Sequence, residues 1–147
     1  MLKESLIKIF TRDITKLKDE ILSYNDESSL WKVSGEIKNS AGNLCLHVTG
    51  NLHHFIGTVL GGSDFKRNRE AEFNSKNVPK TELLEGIEEM LNVTNKTLDS
   101  LTEEDFKKIY PVNVFKEEMT TEFFLIHLGC HLNYHLGQIN YHRRILG

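Results

Sequence analysis

The chain has 147 residues, 27% of them charged and 39% hydrophobic, with 18 Lys and Arg against 21 Asp and Glu. That length suits one domain, residues 1–147, with a core that needs no metal or disulfide staple, and the charged fraction argues against disorder. The net charge of -3 argues against general nucleic-acid binding, which lives on phosphate contacts and a basic face. No apolar run approaches the roughly 20 residues that cross a bilayer, and Met1 to Ser5 lack a signal peptide's apolar region. Two cysteines, Cys45 and Cys130, stand in no CxxC spacing, so a reduced cytoplasmic setting is expected.

The first apolar rhythm of helical period runs from Leu2 to Tyr24 through Leu6, Phe10, Ile14, Leu17 and Ile21. Asn25 to Ser29 breaks it with turn formers, and Trp31 is expected to pack against the helices. A second helix is predicted from Asn39 or Ser40, both N-cap residues, to Gly61-Gly62, a C-terminal glycine signal. The polar connection Asp64 to Val78 is long for a compact domain, and long loops are functional more often than short ones. A third helix starts near Pro79 or Thr81, with Leu83, Ile87, Met90, Leu91 and Leu98 on its apolar face. Thr102 to Asp105 is a further short start signal. Ile109 to Phe115 reads as an extended connector with no sheet partner. The fourth helix opens at Thr120 or Thr121 and runs to about Ile145. Four amphipathic helices with no strand repeat predict an all-α four-helix bundle.

Seven histidines stand out, and they cluster: His47, His53 and His54 in the second helix, and His127, His131, His135 and His142 in the fourth. His127, His131 and His135 are spaced i, i+4, i+8. Each step of four residues advances only about 40°, so the three share one broad face. Two imidazoles one turn apart can hold one metal ion, as in the helical zinc motif HExxH. His131-Leu132-Asn133-Tyr134-His135 lacks that motif's Glu, and with it the general base. A third ligand must come from elsewhere. His47, His53, His54 and His127 are the alternatives, with His47 nearest the apolar stripe of its helix. A lone histidine on an apolar face is ordinarily a packed core residue. Several inward imidazoles on one helix are costly to bury without partners, and a metal satisfies a nitrogen on each of them at once.

The string His131-x-x-x-His135-Leu136-Gly137-Gln138-Ile139, together with Asn43 to Leu52 around His47, resembles the signature of the DinB-like metalloprotein superfamily. The Gly61-Gly62 ending and the segment Arg67-x-Arg69-Glu70-x-Glu72-Phe73 resemble one uncharacterised branch of it. The resemblance implies a DinB-like four-helix bundle holding one divalent metal ion, zinc or nickel, on His47, His131 and His135. It also implies a homodimer, and kinship with bacterial S-transferases that use low-molecular-weight thiols. Asn51, Gln138, His127 and Tyr134 are the expected second ligand sphere or pocket wall. Cys45 and Cys130 are expected to be buried and inert, and His142 to join Arg143 and Arg144 at a basic helix end.

Two functions follow from these expectations. One is a metal-dependent enzyme acting on a small-molecule substrate, with thiol S-transfer favoured over hydrolysis because no Asp or Glu lies on the inward faces of the second and fourth helices. The other is a non-catalytic metal- or small-molecule-binding dimeric module. Neither involves nucleic acid or a membrane.

Overall fold

The structure is a computed structural model that describes all of residues 1–147. It is all-helical, with no strand. The helices are α1 (Leu2–Leu22), α2 (Ala41–Leu52), α3 (Arg69–Asn74), α4 (Lys80–Ser100), α5 (Glu103–Lys107) and α6 (Thr121–Leu146). A 3-10 turn covers Glu27–Trp31, and α2 runs on without a break as a π-helical segment, His53–Thr58. No helix is long and apolar enough to cross a membrane.

Local chemistry sets the starts of these helices. The Ser40 hydroxyl accepts the Asn43 N–H at the head of α2, and the Thr120 hydroxyl accepts the Phe123 N–H at the head of α6. Thr102 and Asp105 cap α5 reciprocally, so the short acidic start signal is a real helix. Each bond pairs a donor that the helix itself leaves free.

The four long helices pack in a ring: α1 against α4 and α6, and α2 against the same two. From α1 come Leu6, Phe10, Ile14, Leu17 and Ile21, the predicted row. From α6 come Phe124, Leu128, Leu132, Leu136 and Ile139. Helix α2 is different, because it is buried nearly all round, from Ala41 through Asn43, His47 and Asn51. It has α4 and α6 on one side and the connection carrying α3 on the other. A helix covered on every side shows no single apolar stripe, so the stripe of this helix does not by itself mark which of its histidines faces α6.

The connection between α2 and α4 is not a loose loop. The Asn43 amide donates to the carbonyls of Glu72 at 2.9 Å and Ser75 at 2.8 Å, while Lys76 donates to the Asn43 Oδ1 at 3.0 Å. These bonds seat α3 on α2. The connector 109–120 makes a single antiparallel bridge, Ile109 to Thr120, between its own two ends, and belongs to no sheet.

Candidate metal centre

Helix α6 carries His131 and His135 one turn apart, at the half-buried edge of its Leu128, Leu132 and Leu136 row. Helix α2 passes that edge and presents His47, which is only 6% exposed. The Nε2 atoms of His47 and His131 lie 3.2 Å apart, and those of His135 and His131 also 3.2 Å apart. One ligand atom from each of the three rings falls within 4.8 Å of the others. The rings meet edge to face, at 74° to 87°, as rings do when each aims a nitrogen at one shared point.

The far nitrogens decide which tautomer each ring adopts. His47 Nδ1 is 3.0 Å from Glu72 Oε1. An ionised carboxylate only accepts, so Nδ1 carries the proton and Nε2 a lone pair. His135 Nδ1 is 2.7 Å from Gln138 Oε1, with the same result. Two lone pairs therefore point at His131 Nε2, and a proton there can serve only one of them well. Three nitrogens bound to one ion at about 2.0–2.1 Å in a tetrahedral array would be roughly 3.3 Å apart. Two of the three pairs, at 3.2 Å, are close to that spacing, and all three atoms lie within 4.8 Å of one another, so the three rings could hold one ion.

Electrostatics favour neutral, ligating rings. Burial, helped by the nearby His135, His47, His127 and Arg67, pushes His131 down to about 4. Burial also lowers His135, against a raising contribution from its Gln138 bond. Burial alone would raise the Glu72 carboxyl. Bonds from Arg67 and His47 outweigh that and hold it below the ordinary range. Arg67 grips Glu72 through Nε to Oε2 and Nη2 to Oε1, both at 2.8 Å, and its guanidinium lies 5.7 Å from the Phe55 ring centroid. Such outer partners fix ring orientation in metal sites.

The other histidines separate by position. His127 stacks toward His131 at 6.4 Å between ring centroids and meets Phe115 edge-on at 4.8 Å, so it touches the cluster by packing and supplies no ligand atom to it. His53 stacks on Phe65 at 4.0 Å, and His54 turns toward Phe55. Neither joins the three. His142 does not belong to a basic helix end. It is buried, its Nδ1 is 2.7 Å from the Tyr24 hydroxyl, and its Nε2 donates to the Lys32 carbonyl at 2.8 Å.

Of the remaining expected neighbours, Gln138 bonds the cluster directly. Tyr134 is 64% exposed and meets the His135 ring edge-on at 5.2 Å. Asn51 bonds none of the histidines: it is buried, and its Oδ1 has no partner. His131 Nδ1 is likewise buried and unpartnered. Cys45 is buried and its thiol is pushed up to about 12 by burial. Cys130, expected inside, is exposed, because α6 turns it away from both α2 and the core row.

The residues that sequence reasoning missed are Glu72 and Arg67. No acid lies on the inward faces of α2 or α6. The carboxylate arrives from the connection instead, seated by the Asn43 bonds. Gly50 makes room for it: a Cβ there would stand 2.1 Å from Glu72 Oε2. The signal was an Arg-rich, Glu-rich segment in a connection longer than its span requires, facing a glycine one turn after His47.

A protein-family model described as "Protein of unknown function (DUF1572)" matches residues 3–147. No curated protein matches the chain.

Proposed function

The chain belongs to the DUF1572 family, and from that premise we propose that it is a DinB-like metalloprotein, a four-helix bundle with one divalent ion on His47, His131 and His135. The observation that carries the reading is the convergence of three Nε2 atoms while two of the opposite nitrogens are tied to Glu72 and Gln138. Zinc and nickel both suit an all-imidazole donor set.

We further propose a small-molecule substrate and thiol transfer in preference to hydrolysis. A divalent ion on three neutral imidazoles keeps positions open and brings a bound thiol or water toward ionisation near neutral pH. Of this chain's own groups, Glu72 is engaged at both oxygens by Arg67 and His47. It orients His47 and is not free to take a proton from water. Thiol transfer asks less of a protein base than hydrolysis does. The same lack of a free base suits a non-catalytic metal-binding module, which predicts metal without turnover.

The test is metal content by plasma mass spectrometry on untagged protein purified without chelator, beside His47→Ala and His131→Ala. About one zinc or nickel per chain, lost in both variants, supports the site. Wild-type protein that carries no metal and takes up neither zinc nor nickel sinks it. Loss in His131→Ala alone moves the third ligand away from His47.

A further inference from the structure

Helix α6 is apolar on two opposite sides. Its inward row, Phe124, Leu128, Leu132, Leu136 and Ile139, lies in the core. On the other side Phe123, Ile126, Tyr134, Tyr141 and Ile145 stand 44% to 65% exposed. None of the exposed positions from Phe123 to Tyr141 is charged. The outward side of α4 is the contrast: every exposed position there is polar, Glu82, Glu85, Glu89, Asn92 and Lys96 among them. A helix with one buried side shows an apolar face and a polar one, so the outer stripe of α6 is built for a second contact.

The stripe has a register of its own. Phe123, Tyr134 and Ile145 are 11 residues apart, and an 11-residue repeat stays on one side of a helix along its length. It also reads nearly the same in both directions from Tyr134. Phe123 and Ile145 stand at equal distances from it, and the pairs Ile126 with Tyr141 and Cys130 with Gly137 are each one residue from equal. A Cβ on Gly137 would meet nothing within 4 Å, so the stripe is low there and another helix can come close. Charges stand only at the two ends. Glu122 precedes Phe123 and Arg144 precedes Ile145, both exposed and neither in an ion pair.

We propose that this face docks a second copy of the chain, with the two α6 helices antiparallel across a twofold axis near Tyr134. A twofold contact uses the same patch on both copies. A stripe with this symmetry matches itself when reversed: Phe123 then meets the partner's Ile145, and Cys130 the partner's Gly137. The charges choose the same direction. Antiparallel packing sets Glu122 beside the partner's Arg144 at both ends, whereas parallel packing sets like charge against like, which is repulsive. The inference goes beyond the metal reading and does not rest on it.

The experiment is sedimentation equilibrium on the full chain, wild type beside surface variants. Wild type is expected to dimerise with a Kd of about 10 µM or tighter. Ile126→Glu with Tyr141→Glu sets carboxylates face to face within the stripe and should give a monomer with unchanged helical circular dichroism. Glu122→Arg should raise the dimer Kd about tenfold, and adding Arg144→Glu to it should return the Kd to near the wild-type value. That recovery cannot come from misfolding, because the recovered chain carries both changes. In a Cys130→Ser background, a short bis-maleimide should join Tyr134→Cys to its own copy and leave Phe123→Cys unjoined. Wild type that stays monomeric at about 100 µM would overturn the proposal. So would a dimer that survives Ile126→Glu with Tyr141→Glu, a charge swap without recovery, or Phe123→Cys joining as readily as Tyr134→Cys.

Discussion

Glu72 and His47 are 25 residues apart and sit on different elements, yet their side chains meet at 3.0 Å, both buried. The bond links the orientation of the proposed α2 ligand to the seating of the connection that carries α3. Glu72→Gln keeps the shape but removes the charge and leaves Arg67 without its carboxylate. It should weaken zinc binding by about 10- to 100-fold, the usual consequence of losing such a partner, as measured by competition with a chromophoric chelator. Unchanged affinity would show that the carboxylate is only a structural ion pair with Arg67.

Gly50 supplies a second handle on the same contact. Gly50→Ala places a methyl where Glu72 Oε2 now lies, 2.1 Å from it. The carboxylate has to leave, and zinc affinity should fall by a factor similar to that of Glu72→Gln. Gly86→Ala is the control. Its Cβ would meet only Thr49 Cγ2, at an ordinary 3.5 Å, within α4. Replacing a helical glycine there should stabilise the fold by about 0.5–1 kcal/mol and leave metal binding alone. Thermal melts and chelator competition on both variants separate the two effects.

Acid should loosen the metal-free protein through this cluster. His131 is held down at about 4 in the folded chain against roughly 6.5 when unfolded. Between those values the unfolded chain binds the extra proton, so stability falls as pH drops through that window. Glu72, lowered in the folded state, adds loss in the same direction at lower pH. Denaturant midpoints of chelated protein from pH 7.5 to 4 should decline, and His131→Gln should flatten the upper part of the decline. An unchanged slope in that variant would refute the assignment.

Tyr24 and His142 give a prediction away from the cluster. The Tyr24 hydroxyl donates to His142 Nδ1 at 2.7 Å, fully inside the protein. Tyr24→Phe leaves that nitrogen buried without a partner and should cost about 1–3 kcal/mol, measured by urea denaturation, with zinc content unchanged. A loss of zinc in this variant would mean that the α6 end and the metal site are one unit.

The helices were legible because their rows of Leu, Ile and Phe recur at helical spacing, and because Ser40, Thr102 and Thr120 are strong caps. The 131/135 pair was legible for the same reason, since i, i+4 spacing is itself a geometry. His47 could not be separated from His53 and His54 by periodicity alone, because α2 is covered on every side and its pattern is blurred. Glu72 was out of reach for a different reason. Its place depends on Asn43 holding the backbone of residues 72 and 75, a tertiary contact with no periodic trace. His142 misled because two arginines follow it, and what buries it is Tyr24, from the other end of the chain.

The π-helical stretch His53–Thr58 has a mechanical consequence. Val59 N–H reaches back to the His54 carbonyl and Gly61 N–H to that of Ile56, a wider coil than the one that carries His47. A wider coil advances less per residue, so everything beyond Leu52 falls out of phase with the face that carries His47. His53 is left to Phe65, and the Phe55 carbonyl accepts the Tyr110 hydroxyl at 2.7 Å. One chain thereby holds two registers end to end, one aimed at the histidines of α6 and one fastened to the connector that leads into α6. Deleting a single residue from the coil would bring the two registers into line. It would also cut the fastening of Phe55 to Tyr110.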